Sequence, residues 1–141
     1  MPTLEDAITL AVRAHQGQVD RAGQPYILHP LRVMFRLEGE LEQIVGILHD
    51  VVEDSDFTFD DLRRLGYSEE VITALDGVTR REDESYEEFV DRSQAHPVSR
   101  QVKLADLEDN MDLRRIVGEI SEKDVARMRR YQRAWRQLQS Q

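Results

Sequence analysis

The sequence predicts an all-α fold, a compact multi-helix arrangement of roughly seven or eight helices. Three observations carry that expectation. Apolar residues recur at spacings of three and four through most of the chain, alternating strand-like runs are nearly absent, and capping signals punctuate the segments between.

Leu4, Ala7, Ile8, Ala11, Val12 and Ala14 form one apolar face, with Thr3 as N-cap and Gly17 as the stop, so the first helix is expected over 4–17. Gly23 and Pro25 make 18–25 a loop. Pro30 opens a second helix to Leu37, at the position where a missing N–H does no harm. Residues 41–52 are apolar nearly all round and predict a central buried helix. Thr58-Phe-Asp-Asp and Ser85-Tyr-Glu-Glu resemble capping boxes opening helices over 59–65 and 86–95. Ser68 caps 69–78, Pro97 starts a longer helix to about Val117, and Ser121 opens the last, ending near Leu138.

No repeat or linker divides the chain, and 141 residues suffice for a real core, so a single domain over 1–141 is expected. The absence of cysteine excludes disulfides, thiolate zinc sites and cysteine nucleophiles. No apolar run approaches the roughly 18 residues of a transmembrane helix, and Met1–Gln18 lacks a signal-peptide pattern. A cytoplasmic protein without a membrane partner is the expectation. With 28 acids against 19 bases the net charge is −9, and no basic stripe offers a footprint for nucleic acid. A phosphorylated substrate would have to be attracted locally, against that overall field.

Two of the four histidines sit in unusual surroundings. His29 precedes Pro30 at a loop end, and His49 is followed by Asp50 inside the apolar segment 41–52. A His-Asp pair in a buried helix needs compensation. Mutual hydrogen bonding supplies one form of it, and a divalent cation bound by neutral imidazole and carboxylate supplies another. Glu53 and Asp54 lie four residues after His49 and Asp50. If the helix continues one turn, both acids project from that side, placed to orient a water or protonate a leaving group. A solvated helix end is the plainer reading of those acids, although their charge opposes the helix dipole. Lys103, Asp106 and Asn110 share one helix face beside the apolar stripe of Leu104, Leu107 and Met111. His15 is expected to pack or hydrogen-bond at the end of the first helix and His96 to lie in a loop, neither as a ligand.

Four blocks, Ala14-His-Gln-Gly-Gln18, Gly23-Gln-Pro-Tyr-Ile-Leu-His-Pro30, Ile47-Leu-His-Asp-Val-Val-Glu-Asp54 and Val102-Lys-Leu-Ala-Asp-Leu-Glu-Asp-Asn110, resemble the HD superfamily of metal-dependent phosphohydrolases. The nearer likeness is to the hydrolase domain of the RelA/SpoT proteins and the small alarmone hydrolases, which remove the 3′-pyrophosphate of guanosine tetra- and pentaphosphate. The resemblance implies an HD-domain fold and an enzyme acting on a small phosphorylated nucleotide. It implies His29, His49, Asp50 and Asp106 as ligands of one metal, Mn²⁺ being the family's usual choice and another divalent cation an alternative. It assigns Glu53 and Asp54 to the attacking water, Asn110 and Lys103 to the nucleotide, and the loop carrying Tyr26 to one pocket wall. The family's synthetase domain has no counterpart in these blocks.

Two departures bear on specificity. The family usually has arginine where Asp20 stands, with Arg21 one place later, and a basic residue where Asp112 stands, followed by Arg114 and Arg115. Arg21 and Arg114 are the candidate replacements. The expectation is therefore a metal-dependent guanosine-3′,5′-bis(diphosphate) 3′-pyrophosphohydrolase. The alternatives are an HD phosphatase of another nucleotide or phosphorylated dinucleotide, and a nucleotide-binding HD domain of low activity. Six acids (Asp50, Glu53, Asp54, Asp106, Asp109 and Asp112) are assigned to the site or its rim. Such a cluster predicts strict metal dependence and leaves Arg21, Lys103 and Arg114 to decide the substrate.

Overall fold

The computed structural model describes residues 1–140, and its order is α1 (Leu4–His15), α2 (Leu28–Phe35), α3 (Glu40–Leu48), α4 (Val51–Asp54), α5 (Phe59–Arg64), α6 (Glu69–Asp76), α7 (Tyr86–Gln94), α8 (Pro97–Asn110), a 3₁₀ turn (Leu113–Arg115) and α9 (Glu122–Gln139). Among the described residues the one β contact is an isolated antiparallel bridge between Val19 and Pro25, so the fold is all-α.

Helix starts follow their caps. Thr3, Thr58, Ser85 and Ser121 each close a capping box with the acid three residues on. Ser68 and the His96 ring cap α6 and α8 from one side only. Each such cap stabilises its helix by about 1 kcal/mol. Helix ends depart further from expectation. The first helix stops at His15, with Gly17 at φ +83° turning the chain into the loop. The second begins at Leu28, leaving Pro30 third in the helix, still within the first turn where N–H groups have no helical acceptor. The expected helix over 97–117 ends at Asn110. Asp112 accepts from the Arg114 N–H at 3.0 Å and starts a tighter turn in competition with the helix.

The departure that matters most lies in the predicted helix 41–52, which breaks after Leu48. The Gly46 carbonyl would pair with the Asp50 N–H in a continuous helix. It accepts instead from His49 Nδ1 at 2.7 Å, and Asp50 sits at φ −104°, ψ 0° before α4 resumes. The expectation of deep burial holds for α3, where Ile44, Val45, Ile47 and Leu48 have no exposed surface.

Two apolar clusters organise the packing. The larger gathers residues such as Val33, Ile47, Leu62, Leu75 and Val102. The smaller joins Val90, Leu104, Leu107, Ala134 and Leu138. Helix α8 contributes to both, Val98, Val102 and Ala105 on one side and Leu104 and Leu107 on the other. It therefore passes between them with a polar strip left over (Lys103, Asp106 and Asn110).

Arg92 on α7 secures the loop after α6. Its guanidinium donates to Glu84 at 2.7 and 2.9 Å, to the Asp76 carbonyl at 2.5 Å and to the Thr79 carbonyl at 2.7 Å. The Arg92 hydrogen bond holds the Glu84 carboxyl down from its ordinary 4.5 to about 2. A carboxyl depressed in the folded state adds stability above its unfolded value, and that stability is lost as pH falls through its folded value. Arg92→Met is expected to destabilise the protein by about 2 kcal/mol. It should also flatten the loss of stability between pH 5 and pH 2. Urea denaturation of both proteins across that range tests this; parallel pH profiles contradict it.

Candidate active site

Three chain segments bring the predicted ligand side chains to one point. His29 comes from the first turn of α2, His49 and Asp50 from the break between α3 and α4, and Asp106 from the middle of α8. Both histidines are buried. His29 Nε2 lies 3.0 Å from Asp106 Oδ1 and 3.7 Å from Asp50 Oδ2. His49 Nε2 lies 3.1 Å from Asp50 Oδ2 and 3.4 Å from Asp106 Oδ1.

The Nδ1–H donation to Gly46 fixes the His49 ring and turns Nε2 inward. There, despite the short distances, Nε2 makes no aligned hydrogen bond and is one of the few orphaned buried polar atoms among the described residues. One ligand-type atom from each of His29, His49 and Asp106 falls within 4.8 Å of the others, with Asp50 alongside. Two imidazoles and two carboxylates suit a divalent cation of the Mn²⁺ or Zn²⁺ kind, and the orphaned nitrogen gives it an open ligand. The residues fit a metal.

The electrostatics point the same way. Burial alone would lower the histidine pKa values, but the surrounding carboxylates raise both, His49 well above its ordinary value. Burial would raise Asp106, yet Lys103 and the two histidines hold it far below the usual carboxylate range. The carboxylates around the two rings thus favour positive charge at this point, the charge a cation would bring.

Glu53 and Asp54 gather beside Asp50, with one carboxylate oxygen of each within 4.8 Å of the others. The break in the helix does not scatter them, because α4 restores the i,i+4 relation, the Asp54 N–H bonding to the Asp50 carbonyl at 2.9 Å. Glu53 Oε1 accepts from the Arg80 N–H at 2.9 Å, which ties it to the loop that Arg92 secures. Burial and the Asp50 and Glu53 charges push Asp54 up to about 6.

A cleft of about 620 Å³ opens over these groups. Of the residues expected to meet substrate, Arg21, Tyr26, Lys103 and Asn110 line it. Several are engaged otherwise than expected. Tyr26 donates its hydroxyl to Asp50 Oδ2 at 2.5 Å, so it braces a candidate ligand as well as forming a wall. Lys103 is buried, its ammonium 2.9 Å from Asp106 Oδ2 and 4.7 Å from the centre of the Phe89 ring. Asn110 donates to Asp106 Oδ1 at 3.1 Å. Arg114 departs from the expectation. Its side chain is 89% exposed, paired with Asp112 and outside the cleft lining, whereas Arg115 lines the cleft.

Sequence reasoning left other lining groups unmentioned: Arg80 on the loop after α6, and Arg127 and Arg130 on α9. No motif marked them, and only their approach to the cleft does. Asp109, read as a rim acid, is fully buried behind His29. Its place three residues after Asp106, on the same helix face, was the available signal. His15 is buried beside the Tyr26 ring and bonds Gln18 at 2.9 Å, outside the ligand cluster. His96 caps α8.

No family model matches the chain. A GTP pyrophosphokinase of Streptomyces coelicolor is 34% identical over 141 aligned positions, covering 88% of this chain and 16% of that protein. A guanosine-3′,5′-bis(diphosphate) 3′-pyrophosphohydrolase of Borreliella burgdorferi is 36% identical over 81 positions, 55% of this chain and 12% of that protein. One of the same name from Aquifex aeolicus is 28% identical over 137 positions, 88% of this chain and 19% of that protein. The chain thus spans less than a fifth of these relatives. A solved structure described as a metazoan ortholog of SpoT that hydrolyzes ppGpp shares the fold. Its TM-score is 0.80 at 23% identity, over 98% of this chain and 87% of that one.

A cation that binds the folded state alone stabilises it by mass action, about 2.7 kcal/mol at a hundred times its Kd. Mn²⁺ is expected to raise the melting temperature and EDTA to reverse the rise. His49→Ala should abolish it. A melting temperature of the unaltered chain that is indifferent to divalent cations contradicts this reading.

Proposed function

The chain is an HD-type, RelA/SpoT-hydrolase-like protein, and on that premise we propose that it is a metal-dependent nucleotide phosphohydrolase. The substrate we propose is guanosine-3′,5′-bis(diphosphate), from which it releases the 3′-pyrophosphate. Residues 1–141 act as one HD domain in this reading, in the cytoplasm where such a diffusible nucleotide is met. The observation that carries it is the convergence of His29, His49, Asp50 and Asp106 under a cleft that also holds an acid pair and several cations.

His29, His49, Asp50 and Asp106 would hold the cation, Mn²⁺ in this proposal. When bound, it polarises a phosphoryl oxygen and lowers the pKa of a water. Water adds its hydroxyl to the phosphorus attached at the ribose 3′ oxygen, the bond between them breaks, and the 3′ oxygen takes up a proton. Pyrophosphate and a 3′-hydroxyl nucleotide result. Glu53 and Asp54 stand at the rim to orient the water and manage its proton. The backbone N–H of Arg80 fixes one Glu53 oxygen, which aims the carboxylate without consuming its other oxygen. Tyr26 holds Asp50 in place. Arg80, Arg115, Arg127 and Arg130 line the cleft as cations for the nucleotide's phosphates. Stacked on the Tyr86 ring at 5.0 Å, Arg130 also presents a flat face to a base.

The test measures pyrophosphate and orthophosphate separately, with the tetraphosphate, nucleoside monophosphates and phosphorylated dinucleotides as substrates. Mn²⁺-dependent pyrophosphate release from the tetraphosphate is the expected result. Glu53→Gln and Asp54→Asn should each lower kcat by roughly 10²–10⁴ while Mn²⁺ still binds. Full-rate hydrolysis by Asp50→Ala would overturn the metal mechanism. Turnover of a dinucleotide but not the tetraphosphate would keep the chemistry and replace the substrate.

A further inference from the structure

We infer that Asp109 is a positioning residue for His29, holding its Nδ1–H so that Nε2 is presented to the cation, and that Arg115 joins this pair to the wall of the cleft. The inference deepens the metal reading above and rests on it.

Asp109 has no exposed surface. A carboxylate there costs several kcal/mol unless it is paired and hydrogen-bonded, and its partners show what the expense supports. Oδ2 stands 2.6 Å from His29 Nδ1. Arg32, one turn along α2 from His29, donates to Oδ1 at 2.8 Å and to Oδ2 at 3.2 Å. Arg115 donates to Oδ2 at 3.0 Å, and Arg36 approaches Oδ1 at 3.9 Å. Three arginines are more than enough to neutralise one carboxylate. Its remaining hydrogen bond goes to an imidazole, whose second nitrogen lies 3.0 Å from Asp106 Oδ1 inside the ligand cluster.

His49 makes the comparison. Its Nδ1–H is also tied back, but to a neutral backbone carbonyl, Gly46 at 2.7 Å. Both rings are therefore oriented through Nδ1, leaving Nε2 for the site. They differ in the acceptor, and a carboxylate makes its imidazole the more basic ligand. His29 sits at a loop-to-helix junction, where the break that orients His49 has no counterpart, so a side chain from α8 supplies the restraint.

The second link runs through Arg115. The Nη1 that bonds Asp109 also bonds Asn110 Oδ1 at 3.1 Å, and Nη2 lies 3.6 Å from Asp20 in the loop 18–25. One guanidinium thus touches the carboxylate behind a ligand, an amide lining the cleft, and the loop that carries Arg21. A change at Arg115 moves cleft wall and ligand together.

The experiment measures Mn²⁺ affinity by calorimetry, and melting temperature in EDTA, for the unaltered chain, Asp109→Asn and Arg32→Gln. Asp109→Asn keeps the shape of the side chain, and its Kd for Mn²⁺ is expected to rise 10- to 100-fold. Arg32→Gln, which touches Asp109 but not His29, should lower the EDTA melting temperature and leave the Kd within a few-fold. With Zn²⁺ as a diamagnetic probe, ¹⁵N-histidine NMR of the unaltered chain should show His29 protonated at Nδ1 and metal-bound at Nε2. Zn²⁺ on Nδ1 overturns the inference. So does a folded Asp109→Asn with unchanged Mn²⁺ affinity, the result a merely structural ion pair gives. Failure of the unaltered chain to bind either metal would instead remove the reading beneath it, and the inference with it.

Discussion

Asp106 is a carboxylate whose side chain is only 10% exposed, and the arrangement around it is what allows it to stay charged. Lys103 reaches it from one turn earlier on α8, His29 from α2, and Asn110 from one turn later. His49 approaches from the end of α3. Isolated, such a charge would neutralise itself or unfold its surroundings. Together these groups convert a liability into a contact that specifies how the start of α2, the end of α3 and the middle of α8 meet. Hydrophobic burial draws α2, α3 and α8 together but is indifferent to small rotations of them. The ionic cluster is not, because its hydrogen bonds have directions.

The position of α8 makes that cluster unavoidable. The helix runs between two apolar clusters and gives a flank to each. A helix covered on both flanks has little surface left for its polar residues, so Lys103, Asp106 and Asp109 are all buried. They meet partners instead of water: aromatic rings around Lys103, imidazoles and amide around Asp106, arginines and an imidazole around Asp109. A rigid, densely packed helix is a good carrier for a ligand that must be held to fractions of an ångström.

The helices were legible from the sequence because their signals are local. Capping boxes at Thr3, Thr58, Ser85 and Ser121 lie within four residues of the groups they serve. The break at His49 was not legible, since an apolar run such as 41–52 reads as one helix unless a side chain captures a carbonyl. Lys103 is singled out by its position in a block and Arg114 by its position after one, and position does not reveal that Asp106 engages the one and Asp112 the other. The role of Asp109 depends on Arg32 and His29, some 77 and 80 residues away in the chain. No window of sequence contains all three.

The charge balance of the whole chain also acquires a different meaning once its parts are located. A net charge of −9 sets a repulsive field for any phosphorylated ligand. The cleft does not share that character uniformly. Its floor carries the Asp50 and Asp106 carboxylates and the Glu53–Asp54 pair, while Arg80, Arg115, Arg127 and Arg130 stand on its walls. Arg127 is paired with Asp124, and Arg115 with Asp109, so part of the positive charge is already balanced. Arg130 is held against the Tyr86 and Tyr131 rings, which orient it while leaving its charge uncancelled. A cation held by His29, His49, Asp50 and Asp106 would reverse the local sign at the floor. The wall arginines thus come from α9, the 3₁₀ turn and the loop after α6, whereas the His-Asp cluster is carried by α2, the α3–α4 junction and α8.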